Sequence, residues 1–410
     1  MTSPRAAGIS AALGLAIAAT IAVNAQDWPQ WRGPGRDGAV AQFTEPASWP
    51  AALTKRWQVE VGSGYSTPVV VGSRVYAFSR EREDEVLRAL DIETGKQLWR
   101  AAYPAAFTLN PAARGHGPGP KSTPTFAGGR LFTLGMTGVV VAFDAAEGRV
   151  LWQFPAPPEQ PMYHTAMSPV VDGNLMIVHV GGQGKGALTA FDVASGKVVW
   201  QWTGDGPAYG SPIVTTLAGT RQVITFTQEN FVGVDRDTGA LLWRRPYTTP
   251  ATTTSQTPLI YKDMVIESGR DNGITAFRPT LTAGTWTTPN VWQTRAASVH
   301  LSDIVAVDGV AYGLSHLNRG QYFGLDLDSG KVLWTGEPRR AEHAAIARAG
   351  HTLFSLEDDG ELVIMHASRT GFEPVKSYQV ASSATWAQPA ISGRRILVKD
   401  VNTLALWTID

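Results

Sequence analysis

A nine-residue phrase that opens on Asp and closes on Trp recurs along the chain, at Asp91–Trp99, Asp144–Trp152, Asp192–Trp200, Asp235–Trp243 and Asp326–Trp334. In every copy a glycine stands four residues after the Asp. A second marker, Thr or Ser before Pro, opens units at Thr67-Pro68, Thr123-Pro124, Ser168-Pro169, Ser211-Pro212 and Thr257-Pro258. Weaker copies follow at Ser302-Asp303 and Ala344-Ala345, and Gln388-Pro389 closes the series. A unit repeated at 42–56 residues cannot bury its apolar face alone, so copies must pack on one another in a stack or ring. Eight openings mean eight units.

Each unit reads as four short strands. The Pro starts an apolar run such as Val69–Val71, a turn follows, and a second run such as Arg74–Phe78 comes next. Proline is tolerated at the first residue of a strand, where no ladder N–H is needed. A third strand ends on the Asp, whose side chain caps a hairpin while the glycine takes positive φ, so that a fourth strand returns antiparallel. The composition agrees, with 42 Gly, 26 Pro and 17% charged residues. Four-stranded units of this length arranged about an axis are the blades of an all-β, eight-bladed propeller. The repeated tryptophans Trp99, Trp152, Trp200, Trp243, Trp292 and Trp334 are expected to lie between neighbouring sheets with the indole N–H on a backbone carbonyl. By the same logic the hairpin aspartates are structural and not catalytic.

The irregular units carry information. The fifth has Arg278-Pro279 in place of the hairpin Asp and an enlarged hairpin, and the seventh ends on Tyr378 instead of Trp. The eighth runs out at Asp410 after three strands, while Thr54–Glu60, with Trp57, matches a fourth strand. That N-terminal strand is expected to complete the last blade and so remove an open sheet edge. The propeller then spans 54–410, residues 26–53 form an N-terminal extension, and Trp28 and Trp31 are expected on the rim.

Residues 1–25 read as a signal peptide, with Arg5 ahead of an apolar run from Ile9 to Val23 and a Val23-Asn24-Ala25 cleavage sequence. The run is too short for a membrane span of roughly 20 residues, which implies an exported, periplasmic or secreted protein without a span once the segment is cut. The chain carries 35 basic and 35 acidic residues, with no basic surplus to track nucleic-acid phosphates. Cysteine is absent, which excludes disulfides, thiolate metal sites and a lipidated N-terminal cysteine. A monomer is expected.

The loops that enter the innermost strands of a propeller converge on one mouth of its axial channel, the default place for a ligand. Here they contribute Tyr65, Lys121, His164, Asp205, Tyr209 and Gln256, then His300, Glu342, His343 and Trp386. Each also has a plainer role as channel filler or solvated rim. His164, His300 and His343 are the residues that would approach a metal together, although their spacing shows no local metal motif. The insertion Asn110–Pro120 either folds over the mouth or stays a mobile loop. Gly182–Ala187 lies between two strands and reads as a hairpin, not a dinucleotide loop.

The Asp-x-x-Thr-Gly-Lys-x-x-Trp phrase resembles the pyrroloquinoline quinone repeat, shared by quinoprotein alcohol dehydrogenases and by BamB-like outer-membrane assembly factors. Trp28-Pro-Gln-Trp31-Arg-Gly-Pro34, Gly204–Pro212 and Ser383–Pro389 are similar to segments of exported propellers of this group. The resemblance implies a non-catalytic binding or scaffold propeller of the cell envelope, with a protein or small molecule at its funnel. A second reading is a periplasmic dehydrogenase holding pyrroloquinoline quinone and Ca²⁺, for which Asp205, Glu342 and Gln256 are the candidate oxygens. Against it, this chain lacks the adjacent-cysteine disulfide of those enzymes. A third is recognition of a sugar or peptide by Trp386 and the tyrosines.

Overall fold

The computed structural model describes residues 27–40 and 42–410, so the signal segment lies outside the described residues. Eight four-stranded antiparallel sheets surround a central axis. The first seven blades span Val69–Pro104, Thr125–Phe154, Val170–Trp202, Ile213–Pro246, Leu259–Thr294, Val305–Thr335 and Ala344–Gln379. Blade eight takes three strands from Ala390–Thr408 and its outermost from Thr54–Glu60. That strand pairs antiparallel, with Thr54 opposite Thr408 and Trp57 opposite Leu406. In blade five the enlarged hairpin forms a ribbon of its own, Thr280–Thr282 against Thr285–Thr287.

The recurring phrase turns out to bind blades to one another as well as strands within a blade. Asp91 accepts from the Thr94 amide and hydroxyl at 2.9 and 2.7 Å and closes its hairpin as expected. The residue after each hairpin Asp then receives the tryptophan of the preceding blade. Trp57 donates to the Ile92 carbonyl at 2.8 Å, Trp152 to Val193 at 3.2 Å, Trp200 to Arg236 at 2.9 Å and Trp292 to Leu327 at 2.9 Å. The phrase glycine lies flat against that same ring. A Cβ on Gly95 would meet Trp57 at 2.8 Å, and one on Gly196 would meet Trp152 at 2.5 Å. Glycine is needed there for close approach as well as for positive φ. The rule breaks where the phrase breaks. With Arg278 in place of the fifth hairpin Asp, Trp243 bonds Gln222 of its own blade at 2.6 Å and packs edge-on to Phe277.

The Thr/Ser markers form an inner ring. The Gln388 amide donates to Thr67 Oγ1, the Thr67 amide to Thr123 Oγ1, the Thr123 amide to Ser168 Oγ and the Ser168 amide to Ser211 Oγ, at 2.9–3.1 Å. Asp303 replaces the hydroxyl for blade five, taking the Thr257 amide at 2.7 Å. These contacts satisfy backbone donors that the crowded axis would otherwise leave buried and unpaired.

The N-terminal extension corrects the expectation of a rim. Trp28 is fully buried, and residues 27–40 thread the axial channel as a plug. Trp28 exchanges both backbone bonds with Val70 at 2.9 Å, and Pro29 takes the Phe126 amide at 2.8 Å. Arg36 donates to the Ser168 and Pro169 carbonyls, Arg32 to the Ile304 carbonyl, and Gly38 accepts from the Arg348 amide. Arg32 also pairs with Asp303 at 3.2 Å, both side chains being nearly inaccessible. Two buried guanidiniums are tolerable here because channel carbonyls and one carboxylate receive their N–H groups. Nothing in the repeat pattern signals this insertion, since it has no copy elsewhere in the chain.

Candidate functional site

Beside the plug, the inner ends of the blades enclose a cavity of about 270 Å³. The floor is the plug residue Trp31, whose indole N–H is held by Thr257 Oγ1 at 2.8 Å. Tyr65, Lys121, Tyr209, His300, His343 and Trp386 line the walls. The insertion after blade one folds over this cavity: its short 3₁₀ turn Pro111–His116 brings the His116 ring edge-on to Trp386, with centroids 4.6 Å apart. His343 stacks on the same indole at 5.0 Å and 19°. Trp386 is thereby held between two imidazoles.

Four of the sequence candidates lie elsewhere. His164 sits at φ 60 and turns away from the cup, packing edge-on against Phe107 while its Nε2 accepts from the Asn110 amide. Its neighbour Tyr163 lines the cup instead. Asp205 ties down a hairpin, accepting from the Thr227 hydroxyl, the Glu229 amide and Asn230 Nδ2. Gln256 is buried with its Oε1 on the Ser268 amide at 2.6 Å. Glu342 is exposed, and its amide donates to Asp358. Conversely, His116, Tyr163 and Arg270 belong to the cup without standing among the candidates, and Trp31, expected on the rim, lines it too. The adjacency of Tyr163 to His164 was a usable signal, whereas Trp31 reaches the cup only through the threading of the plug.

Burial dominates the electrostatics. It pushes Lys121 down to about 8, with the ammonium donating to the Tyr163 carbonyl at 2.6 Å. Burial, followed by the charge of Lys121, holds His116 at about 4, and burial followed by Arg270 does the same for His300. Burial also lowers His343, partly offset by its contact with the Leu301 carbonyl. These imidazoles are therefore neutral at pH 7, and the cup's charge comes from Lys121 and Arg270. Its carboxylate, Asp303, is committed to Arg32 and the Thr257 amide.

A quinone anchored by Ca²⁺ asks for a cluster of oxygen ligands on the ion, commonly six to eight. The proposed donors Asp205, Gln256 and Glu342 do not converge on the cup, and Asp303 is already paired, so the residues present do not fit that pair. Nor do His164, His300 and His343 form a metal cluster; among the described residues, the group of three potential ligands is Glu357, Asp359 and Glu361, outside the cup. Glu357 and Glu361 there are engaged by Arg340 at 2.7 and 2.6 Å.

Comparison with known proteins places this architecture. The solved BamB from Moraxella catarrhalis superposes with a TM-score of 0.63 at 16% identity, covering 87% of this chain and 98% of that one. A quinohemoprotein alcohol dehydrogenase from Comamonas testosteroni gives a TM-score of 0.66 at 15% identity, covering 95% and 81%. At such identities both show the shared fold alone. In sequence, the outer membrane protein assembly factor BamB of Yersinia pestis is 26% identical over 304 residues, which is 69% of this chain and 61% of that protein. The chain thus matches less than two thirds of the length of this curated relative. The profile of the family described as outer membrane protein assembly factor BamB matches residues 50–114 and 83–336, well over half the chain. With eight blades, five of them carrying the phrase, the chain belongs to the BamB family of propellers built from pyrroloquinoline-quinone-type repeats.

Proposed function

We propose that the protein is an exported, non-catalytic scaffold of the cell envelope, acting on the periplasmic side in outer membrane protein assembly. The observation that carries this reading is the family match across residues 50–336. Three further features support it. The cup's carboxylate, Asp303, is already committed to Arg32 and the Thr257 amide. Trp31, Tyr209 and Trp386 present fixed aromatic faces there, a surface suited to holding a ligand. No helix among the described residues is long and apolar enough to cross a membrane.

The test has two arms. Deleting the gene in its host should lower the amount of folded outer-membrane β-barrel protein, read by heat-modifiable gel mobility, and a plasmid copy should restore it. Purified protein supplied with pyrroloquinoline quinone and Ca²⁺ should give no alcohol-dependent dye reduction. Unchanged barrel levels in the deletion strain, or alcohol-dependent dye reduction by the purified protein, would overturn the reading.

A further inference from the structure

We propose that the cup is a binding site for a small ring-bearing organic anion that also carries a hydrogen-bond donor, its ring lying among Trp31, Trp386 and Tyr209 and its anionic group meeting Lys121. The inference rests on the reading of the cup as a site that binds and does not react.

Size comes first. A cavity of about 270 Å³ lies just under the roughly 300–1,000 Å³ of sites that take drug-sized ligands. One ring with its substituents fits such a space, and a folded chain segment does not.

The flat walls are held in place before any ligand arrives. Trp31 is pinned by Thr257 at 2.8 Å. Tyr209 accepts from the Tyr163 amide at 3.1 Å, and Trp386 lies between His116 and His343. Rings fixed in this way lose little freedom on binding, which favours a planar or cyclic partner over a flexible one.

Charge then selects the sign. Facing the cup are the cations Lys121 and Arg270, with Asp271 beside Arg270 at 3.8 Å and Asp303 already paired to Arg32. The imidazoles facing it carry no charge at neutral pH. Lys121 has given one N–H to the Tyr163 carbonyl and retains others for an anion. A carboxylate there would form a charge-assisted bond in a partly dry site, where such bonds are strongest.

The donor requirement comes from atoms left without a partner. Gln388 and His343 line the cup and are 2% and 6% exposed. Gln388 uses its Nε2 on the Ile346 carbonyl at 3.1 Å, and its Oε1 has no partner. The Nε2 of His343 is likewise unpaired, while its Nδ1 faces the Leu301 carbonyl. Buried polar atoms without partners are rare enough to mark a site awaiting one. An amide oxygen can only accept, so the ligand must offer it an N–H or O–H.

The probes are 4-hydroxybenzoate, its neutral isostere 4-hydroxybenzamide, and glucose, each titrated into the purified protein. Binding is read by calorimetry and by quenching of tryptophan fluorescence. The acid should bind saturably, raise the melting temperature and exceed the amide in affinity by about tenfold or more, the scale of one charge-assisted bond. Lys121→Met should lose that advantage, bringing acid and amide to similar affinities, and Trp31→Phe should remove part of the quenching. If Lys121→Met does not fold by circular dichroism, Lys121→Gln takes its place. Equal affinity for acid and amide, tighter binding of glucose, no saturable signal from the acid, or an undiminished acid preference in the Lys121 variant overturns the proposal. Failure of the scaffold reading is separable: it shows as unchanged barrel levels in the deletion strain, or as chemical turnover of the probe, and neither alters the binding constants.

Discussion

Trp57 donates its indole N–H to the carbonyl of Ile92 at 2.8 Å, so the strand from the N-terminal side of the ring docks the last blade onto the hairpin of the first. The same side chain packs over Gly95 and joins Trp28, Leu53, Leu404 and Leu406 in one buried cluster. A single residue thus completes blade eight and seals its seam with blade one.

Truncating Trp57 to Ala is expected to cost about 3–5 kcal/mol, the usual range for a buried large aromatic. Trp57→Phe should cost less, since it keeps most of the packing and loses about 1 kcal/mol with the indole bond. Urea denaturation checks both. A Trp57→Ala protein as stable as wild type would mean that the seam does not depend on this contact.

Two glycines separate the cost of close approach from the cost of positive φ. Gly196 lies at φ 70 with the Trp152 ring 2.5 Å from where a Cβ would stand, whereas Gly219 lies at φ 77 with nothing within 4 Å. Gly219→Ala should lose roughly 1 kcal/mol, the lower end of backbone strain at such a position. Gly196→Ala should lose more, because the indole must move off the hairpin. Equal losses in matched melts would show that the ring contact is soft.

The plug should contribute to stability through its buried ion pair. Arg32→Met leaves Asp303 facing the channel without its cation, and breaking a buried pair by removing one partner costs about 3–5 kcal/mol. Adding Asp303→Asn to Arg32→Met should recover part of that loss, since it removes the uncompensated charge. A double-mutant cycle measures the difference, and additive losses would show that the two residues are not coupled. Removal of residues 27–40 should be severe for the same reason, because it empties the channel of Trp28, Arg32 and Arg36 together.

His179 should confer acid sensitivity. Burial holds it at about 4, below its ordinary 6.5, despite the Asp205 carbonyl 3.1 Å from Nε2. The unfolded chain therefore takes up this proton at a higher pH than the native protein does. The stability so conferred is present in full above about pH 6.5 and is lost as pH falls toward about 4. Glu267 works in the opposite sense, its carboxyl being raised to about 7 by burial, so the test must isolate the histidine. Melting wild type and His179→Gln at pH 7.5, 5.5 and 4 does so, since Glu267 is common to both. The gap between the two melting temperatures should narrow on acidification; a constant gap would refute the assignment.

The blades were legible because their signals are local and repeated. Asp91, Gly95 and Trp99 stand within one hairpin, and the same spacing returns at Asp326, Gly330 and Trp334. The closure by Thr54–Glu60 was legible by counting strands, and the structure pairs that segment with Thr403–Thr408. The interblade half of the pattern was only partly visible. Nothing in one repeat says that its glycine must admit the tryptophan of the repeat before it.

The cup was legible in outline and not in detail. The repeat marks where eight loops meet, but which side chain of a loop faces inward depends on backbone angles that no spacing records. At the third blade's entry, His164 adopts φ 60 and hands the wall to Tyr163. Asp205 reads as a candidate ligand group until its bonds to Thr227, Glu229 and Asn230 show it holding a turn. The sequence by itself determined the number of blades, the hairpins and the ring closure, since each follows from short-range patterns of turn chemistry and apolar alternation. Only the tertiary structure decided that residues 27–40 fill the axis, that Trp31 floors the cup and that Arg32 neutralises Asp303. Those contacts join residues as far as 272 positions apart, with no repeated copy to reveal them, and their energy exists only once the ring has formed around the plug.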